Sequence, residues 1–341
     1  MKLAVVLFNL GGPDCPEAVE PFLRNLFSDP AIISLPATVR YPLAWIIARR
    51  RAPLAREIYH HMGGRSPILP ETETQAHALE WALVKAGYEA KCFIAMRCWH
   101  PLTAEAVGAV NVWGADEIVL LPLYPQYSTT TTRSSLSEWR KEAARQRLSV
   151  MSHEVCCYPS ADGFVSAVAD LLKQALAKAK PELSYRVLFS AHGLPKRVID
   201  SGDPYQWQVE QSVAATVAHL RRSDLDTSIC YQSRVGPLEW IGPATDAEVR
   251  RAGRDGKSVI LVPIAFVSEH SETLVELDIE YAKLAREQGV PDYIRVPTVQ
   301  AHAAFIGGLA GLVIAALDAA RPISCLPGRL CPTGKICGQG P

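Results

Sequence analysis

The amino-acid sequence predicts an α/β protein of two doubly wound domains, each built on a four-stranded parallel sheet. Three observations lead to this fold class. Short runs that are apolar throughout recur along the chain, segments with helical periodicity separate them, and a long helical segment from about Ala161 divides the eight runs evenly. Strands that are apolar throughout are typical of parallel sheets that helices cover on both faces.

The individual elements follow from the same pattern. The apolar runs are LAVVLFNL from Leu3, CFIAMR from Cys92, EIVLLPLYP from Glu117, EVCCYP from Glu154, RVLFSAH from Arg186, SICYQSR from Ser228, SVILVPIAF from Ser258 and YIRVPTV from Tyr293. Intervening segments such as QAHALEWALVKAG have leucines and alanines at the spacing of amphipathic helices. We therefore expect an N-terminal domain at 1–160, a C-terminal domain at 161–321 and an aperiodic tail, rich in Pro and Gly, at 322–341.

Length, charge and cysteine content disfavour several classes of protein. The 341 residues include 35 Lys and Arg and 35 Asp and Glu, and this zero net charge gives no support for nucleic-acid binding. No apolar run approaches the roughly 20 residues of a membrane span, and the N-terminal residues lack a signal-peptide cleavage pattern, so we expect a cytoplasmic protein. The nine cysteines, an odd number, indicate reduced thiols or a metal site rather than a secreted disulfide framework.

The segment 35–70 interrupts the alternation of strands and helices. It reads LPATVRYPLAWIIARRRAPLAREIYHHMGGRSPILP and sets Trp45, Ile46 and Ile47 close to three consecutive arginines, Arg49–Arg51. Such a segment fits ordinary helix packing. It also fits a lip that presents apolar and cationic side chains to a large anionic ligand or to a membrane surface.

Polar and aromatic side chains follow the predicted strands, at the edge where open parallel sheets bind ligands. His192 ends the fifth strand and precedes a Gly-Leu-Pro turn. An imidazole is suited to moving protons near neutral pH, although a strand-end histidine can also serve only local backbone groups. The glycines after the first strand lack the spacing of the dinucleotide and P-loop motifs, and no G-x-S-x-G elbow occurs, so a nucleotide enzyme and a serine hydrolase are disfavoured.

The stretch SEHSETLVELDIEY, from Ser268 to Tyr281, contains three glutamates spaced four residues apart. In an α-helix the carboxylates of Glu272, Glu276 and Glu280 would form one row, with neighbours about 6 Å apart. The row could be the solvated face opposite an apolar stripe. Because closely spaced like charges repel, a row near His192 would instead suggest a relay for protons or cations.

Five separated motifs occur in order along the chain: LFNLGGPD, YPQYSTTT, FSAHGLP, YQSRVGPLEWIGPATD and PIAFVSEHSETLVELDIEY. Together they resemble the ferrochelatase family, whose members insert ferrous iron into a porphyrin to make haem. The similarity extends from about Lys2 to about Leu317. It implies two Rossmann-like, chelatase-like domains with a porphyrin cleft between them, Fe²⁺ as a substrate, and no nucleotide or organic cofactor.

The resemblance implies roles for the residues at matching positions. His192 would accept pyrrole protons or help deliver the metal, with Glu272 as its acidic partner and Glu276 and Glu280 continuing the relay. The Fe²⁺ substrate would meet His192 and Glu272. Porphyrin contacts are implied for Leu10, Arg51, Tyr59, Ser66, Arg97, Tyr124, Trp240 and His270.

Two further expectations come from the same resemblance. Leu10 stands where the branch that uses coproporphyrin tends to have a tyrosine, which favours protoporphyrin IX as the substrate. The segment 35–70 falls where the family places a membrane-facing cleft edge, so we expect peripheral contact with the inner face of a membrane. The sequence does not specify an oligomeric state.

Cysteines near the C-terminus suggest a [2Fe–2S] cluster, which some members of the family hold. Here Cys325, Cys331 and Cys337 are spaced six and six residues apart, and Thr129 occupies the family's more distant cysteine position. A cluster needs four ligands, so we expect the fourth thiolate from Cys157 or Cys156. Alternate strand residues face opposite ways, so only one of these two can point at the tail. Free thiols or a zinc site are the alternatives.

Two other functions are compatible with the sequence. A chelatase that inserts cobalt or nickel into sirohydrochlorin shares the expected fold, but tends to have a histidine pair where this chain has His192 and Glu272. A non-catalytic tetrapyrrole carrier would keep Arg51 and Trp240 without requiring His192.

Overall fold

The computed structural model describes residues 1–234, 236, 238–319, 323–324 and 331–336, and these separate into two compact units. The first unit contains Met1–Cys157 and the described residues between 309 and 324. The second contains Tyr158–Gly308 and Cys331–Ile336.

Within these ranges the strands are β1 Lys2–Asn9, β2 Glu89–Met96, β3 Glu117–Pro122, β4 Ser152–Val155, β5 Tyr185–His192, β6 Asp226–Gln232, β7 Ser258–Pro263, β8 Tyr293–Arg295 and β9 Ile323–Ser324. The α-helices are α1 Val19–Ser28, α2 Ala37–His60, α3 Ile68–Lys85, α4 Thr103–Trp113, α5 Thr132–Arg145, α6 Asp162–Lys178, α7 Lys196–Asp200, α8 Tyr205–Leu220, α9 Thr245–Arg254, α10 Ser271–Leu274, α11 Ala282–Glu287 and α12 Ala303–Leu317. A 3₁₀ turn at Pro16–Ala18 precedes α1, and a π-helix at Glu276–Tyr281 lies between α10 and α11.

The first unit is built on a parallel sheet in the order β2-β1-β3-β4-β9. The four predicted strands are present. A fifth, two-residue strand extends this sheet: Ile323–Ser324, within the tail, pair with Glu154 and Val155 of β4. This two-residue strand satisfies backbone groups that an edge strand would otherwise expose to pairing with another chain.

The second unit is built on the predicted four-stranded parallel sheet, in the order β6-β5-β7-β8. The central strands β5 and β7 pair over six residues, from Tyr185↔Ser258 to Ser190↔Pro263. Because parallel neighbours end at the same edge of a sheet, the segments that follow β5 and β7 emerge side by side.

Apolar side chains bury both faces of each sheet. In the first unit all six residues from Leu3 to Phe8 are fully buried, although successive side chains point to opposite faces. In the second unit Leu188, Val259 and Leu261 pack with Leu277 of the π-helix in one core cluster. Helices on both faces therefore account for the continuous apolar runs in the sequence.

Helix α2 explains the composition of segment 35–70. Its small residues Ala44, Ala48 and Ala52 recur every fourth position and are buried, and the helix packs closely against α1. Five of its large apolar side chains are exposed; they are Val39, Tyr41, Trp45, Ile46 and Leu54. The helix thus packs through its alanines and Tyr59 and presents these five residues to solvent. Among the described residues, no helix combines the length and apolar character needed to cross a lipid bilayer.

Candidate active site

His192 and Glu272 form the centre of the candidate site in the second unit. His192 is the last residue of β5, and Glu272 lies in α10, shortly after the neighbouring strand β7. The imidazole Nδ1 lies 2.8 Å from Glu272 Oε2. His270 approaches the same oxygen, with its Nε2 at 3.8 Å. The chain therefore brings one carboxylate against two histidines at the carboxyl edge of the sheet.

The contact shifts the pKa values of both partners in opposite directions. Burial alone would lower the pKa of His192, but the charge and hydrogen bond of Glu272 outweigh it, and the pKa is raised. Burial alone would raise the pKa of Glu272, but His192 and then His270 hold it well below its ordinary value. The His192 side chain is still 37% exposed, so the pair is accessible from solvent.

The acidic segment is not one continuous α-helix. It changes from α10 to a π-helix, in which the Glu280 N–H reaches the carbonyl of Val275, five residues earlier, at 3.0 Å. The wider turn departs from the α-helical geometry assumed for the four-residue spacing. Glu272 and Glu276 are partly buried, whereas Glu280 is exposed.

Four hydrogen bonds hold the carboxylate of Glu276. Its Oε1 accepts from the Ser233 N–H at 2.8 Å and from the Tyr281 hydroxyl at 3.0 Å. Its Oε2 accepts from the Ser233 hydroxyl at 2.5 Å and from Gln232 Nε2 at 3.1 Å. Burial and the charge of Glu272 nevertheless raise the pKa of Glu276.

Sequence reasoning did not include Gln232 and Ser233 among the site residues, although they end the sixth apolar run. Gln232 also donates to the main-chain carbonyl of Glu272 at 2.9 Å, and its Oε1 accepts from the buried Ser190 hydroxyl at 2.8 Å. Ser233 has a φ of 59°, a left-handed conformation that is uncommon outside glycine. Their strand-end position was the available signal.

Trp240 and His270 complete the predicted residues of the second unit. Trp240 pairs with Pro195, in the turn after His192, through an isolated β-bridge. The His270 ring lies 4.7 Å from that of Phe266. Trp240 Nε1 and His270 Nδ1 are buried without a hydrogen-bond partner among the described residues, a deficit that a water or ligand would relieve.

In the first unit, Arg97 has a fixed side chain. Its Nε donates to the Ser134 hydroxyl at 2.8 Å, and its Nη2 lies 2.9 Å from Asp29 Oδ2. Ser134 donates to the same Asp29 oxygen at 2.5 Å. The buried Asp29 therefore compensates the charge of an arginine that is 18% exposed.

The other predicted porphyrin residues of this unit lie on α2, in the loop between α2 and α3, and in the loops after β1 and β3. Leu10 packs against a core cluster that includes Tyr59 of α2. Arg51 is exposed, with its guanidinium 5.6 Å from the Phe27 ring centre. Ser66 is buried, and its N–H donates to the Pro13 carbonyl at 2.8 Å. Burial raises the pKa of Tyr124.

The candidate cluster ligands are only partly within the described residues. Cys156 and Cys157 are both buried, but they follow β4, which ends at Val155, instead of lying on the strand as expected. Cys331 is buried in the second unit, and its sulfur accepts from Gln208 Nε2 at 3.1 Å. Cys325 and Cys337 lie outside the described residues.

No group of three or more His, Cys, Asp or Glu side chains placed to hold a metal ion occurs within the described ranges, which leave out 325–330 and 337–341. The imidazole nitrogens of His192 and His270 and the carboxylate oxygens of Glu272 are nevertheless ligand types that bind divalent transition metals.

Comparison with known proteins gives matches over nearly the whole chain. The family model described as Ferrochelatase matches residues 2–317. A protein named ferrochelatase from Phenylobacterium zucineum is 58% identical over 320 residues, 93% of this chain and 92% of the relative. Another of that name, from Caulobacter vibrioides strain NA1000 / CB15N, is 57% identical over 314 residues, 92% of this chain and 89% of the relative.

A solved structure supports the fold. The sirohydrochlorin chelatase from Bacillus subtilis subspecies spizizenii, in complex with cobalt, aligns with a TM-score of 0.52, 13% identity, and coverage of 93% of this chain and 96% of that one. At this identity the likeness extends to the fold alone.

Proposed function

The chain belongs to the ferrochelatase family, and on that premise we propose that it inserts Fe²⁺ into protoporphyrin IX, the terminal step of haem biosynthesis, with His192 as the proton acceptor. The family is one of lyases that insert iron into a porphyrin. The observation that carries the proposed mechanism is the 2.8 Å contact between His192 and Glu272 at the open edge of the second sheet.

The reaction needs a base, because a free-base porphyrin carries two pyrrole N–H protons that leave as Fe²⁺ enters. With Nδ1–H directed at Glu272, the imidazole lone pair lies on Nε2, and this atom accepts a pyrrole proton. The imidazolium that forms is stabilised by the Glu272 carboxylate. The raised pKa of His192 and the lowered pKa of Glu272 support these roles.

The remaining glutamates continue as an acidic relay for protons or for the incoming metal. Glu276 has a raised pKa and exchanges protons more readily near neutral pH than Glu272 does. Glu280, one turn farther along, is exposed to solvent. We therefore infer that the three carboxyl groups connect His192 to solvent. Their oxygen atoms suit a hydrated divalent ion.

Porphyrin contacts are proposed for the residues at positions that match the family's motifs. Arg51 supplies positive charge for the porphyrin carboxylates, and Arg97, whose charge Asp29 compensates, supplies N–H donors. Leu10, Tyr59, Tyr124 and Trp240 supply apolar or aromatic surface, with Ser66 and His270 as polar contacts. The apolar Leu10 favours protoporphyrin IX over coproporphyrin, which carries more carboxylates.

A peripheral membrane contact through α2 goes with this function, because protoporphyrin is largely apolar. The exposed Trp45 and Ile46 lie beside cationic residues, and the Arg49 guanidinium lies 5.5 Å from the Trp45 ring centre. Aromatic and aliphatic side chains next to arginines are suited to an anionic membrane surface. The protein is accordingly assigned to the cytoplasm, at the inner face of the membrane.

A [2Fe–2S] cluster held by Cys325, Cys331, Cys337 and either Cys157 or Cys156 is part of the same proposal. Three of these candidate ligands, Cys156, Cys157 and Cys331, are described by the structure, and all three are buried. The Gln208 amide donates to the Cys331 sulfur, and hydrogen bonds of this kind are common at cluster thiolates. Ile323–Ser324, covalently joined to Cys325, pair with the strand that ends next to Cys156. When bound, such a cluster supplies one-electron redox chemistry, and no step of metal insertion needs it.

The proposed function is tested by an anaerobic assay of the purified protein with matched metals and tetrapyrroles. We expect insertion of Fe²⁺ into protoporphyrin IX and slower insertion into coproporphyrin. Insertion of Co²⁺ into sirohydrochlorin, with protoporphyrin unchanged, would assign the chain to the other chelatase activity. Porphyrin binding without any insertion would favour a carrier.

A further inference from the structure

Arg295 binds two acidic residues, Glu269 and Asp278, which flank Glu272 and Glu276 in sequence. It is the last residue of β8, the edge strand of the second sheet. Its Nε and Nη2 bind Asp278 Oδ1 and Oδ2 at 2.7 and 2.6 Å, and its Nη1 binds Glu269 Oε1 at 2.6 Å. A single guanidinium thus forms one bidentate and one monodentate carboxylate contact.

The two carboxylates flank Glu272 and Glu276 in sequence, whereas Glu280 lies beyond Asp278. Glu269 lies three residues before Glu272 and in the loop that follows β7, while Asp278 lies within the π-helix, two residues after Glu276. Glu269 is nearly buried, with a 6% exposed side chain, and its Oε1 also accepts from the Thr298 N–H at 3.0 Å. One guanidinium, 12% exposed, therefore holds the chain on both sides of Glu272 and Glu276.

A second residue of β8 holds the same π-helix. Tyr293 and Arg295 are alternate residues of the strand, so their side chains leave on the same face. The Tyr293 hydroxyl donates to the main-chain carbonyl of Leu277 at 2.8 Å, next to the Asp278 that Arg295 binds. Because π-helices are rare and usually limited to short insertions, such external contacts help to hold this geometry.

We propose that Arg295 is a positioning residue for iron insertion, which holds the segment 269–278 in the register that sets Glu272 against His192 and Glu276 against Ser233. The proposal rests on the proposed function of that site. Within the part of the chain that the structure describes, Arg295 bonds to Glu269, Asp278 and the Val296 carbonyl and to neither His192 nor the carboxylates of Glu272 and Glu276, so it acts through the segment that it holds. Loss of the fork would leave the segment folded against the sheet through Leu277 but free to shift its glutamates.

The test compares Arg295→Gln, Arg295→Lys and the double variant Arg295→Gln/Asp278→Asn with the control Lys283→Gln. Lys283 lies in the adjoining α11 and pairs only loosely with Glu287, at 3.9 Å on the surface. Fe²⁺ insertion into protoporphyrin is measured at saturating and limiting porphyrin, together with the thermal midpoint. Arg295→Lys keeps the charge, and the double variant removes the charge of Asp278 while Glu269 keeps its hydrogen bond from the Thr298 N–H, so at least one of them is expected to fold if Arg295→Gln does not.

We expect kcat to fall about 10- to 100-fold in Arg295→Gln and in the double variant, because small misplacements of catalytic groups have effects of this order. KM for porphyrin should stay within a few-fold, and Lys283→Gln should match the wild type. The double variant should regain thermal stability relative to Arg295→Gln without regaining kcat. A folded Arg295 variant with wild-type kcat would overturn the proposal, whereas a wild type that inserts no iron would instead overturn the proposed function.

Discussion

Nδ1 of His192 lies 2.8 Å from Oε2 of Glu272, and this contact raises the pKa of the imidazole while lowering that of the carboxyl group. An imidazole with a raised pKa and a carboxylate that balances the charge of its protonated form are thereby paired at one edge of the sheet. The neighbouring carboxyl groups differ in the direction of their pKa shifts, because burial and the charge of Glu272 raise the pKa of Glu276.

The pH dependence of iron insertion should reveal this contact. His192 must be neutral to accept a proton, so insertion should increase with pH through the raised pKa of His192. In Glu272→Gln the raising charge is lost and burial remains, so the acid limb should move to lower pH, with a plateau reduced about 100-fold or more. The measurement is a pH profile of kcat for the wild type and for Glu272→Gln. Glu287→Gln, at an exposed position of α11, is the control. An acid limb that stays in place or moves to higher pH in Glu272→Gln would contradict the assignment.

Contact with anionic membranes should depend on the exposed apolar residues of α2. The double variant Trp45→Ser/Ile46→Ser should lose about tenfold or more in affinity for vesicles containing phosphatidylglycerol, because each large apolar side chain buried contributes about 1.5–3 kcal/mol. Trp81→Ser is the matched control, since Trp81 is 66% exposed on α3 and lies 5.1 Å from the Lys85 ammonium. Vesicle sedimentation measures the affinity. Equal losses in both variants, or no binding by the wild type, would exclude α2 as the membrane-contacting surface.

The cluster proposal is tested by visible absorption together with iron and sulfide content. Protein purified without oxygen should be coloured, and Cys331→Ser should lose the colour and the bound iron, while Cys15→Ser, which alters an exposed thiol, should retain both. Comparing Cys157→Ser with Cys156→Ser identifies the fourth ligand, because only one of them should lose the cluster. A colourless wild type without iron or sulfide removes the cluster from the account and leaves the insertion chemistry unaffected.

Packing in the second unit depends on a close approach of two helices. A Cβ added to Gly163 of α6 would lie 2.5 Å from the Ala304 carbonyl oxygen and 2.6 Å from Gly308 Cα. Because the obstacles are backbone atoms, Gly163→Ala should lower the free energy of unfolding by about 1–3 kcal/mol. Gly307→Ala, at an exposed position of α12 where the added Cβ would meet no atom within 4 Å, should instead raise it by about 0.5–1 kcal/mol. Urea unfolding measures both, and equal stability of the two variants would refute the packing argument.

The sequence predicted the parts of the site that follow from strand order. Apolar runs identified the two four-stranded sheets, and the rule that parallel strands end at one edge placed His192 near Glu272. The π-helix could not be predicted, because its residues have the same four-residue spacing that an α-helix would use. Ile323–Ser324 are too few to show periodicity, and their pairing with β4 depends on tertiary structure.

The contacts that orient the site residues could not be predicted from the sequence pattern either. Gln232 is oriented by Ser190, a residue 42 positions away. Arg295, at the end of β8, binds Glu269 in the loop after β7 and Asp278 in the π-helix. Ser233 is not a glycine, so nothing in its identity indicates a positive φ. Such contacts are set by side chains that meet only after the sheet has formed.

The most direct measurement is anaerobic Fe²⁺ insertion into protoporphyrin IX by the wild type and by His192→Ala, with porphyrin affinity determined in parallel by fluorescence quenching. The account predicts haem formation by the wild type, a loss of about 100-fold or more in His192→Ala, and porphyrin affinity within a few-fold of the wild type. Haem formation by His192→Ala at the wild-type rate would contradict the central role of this imidazole.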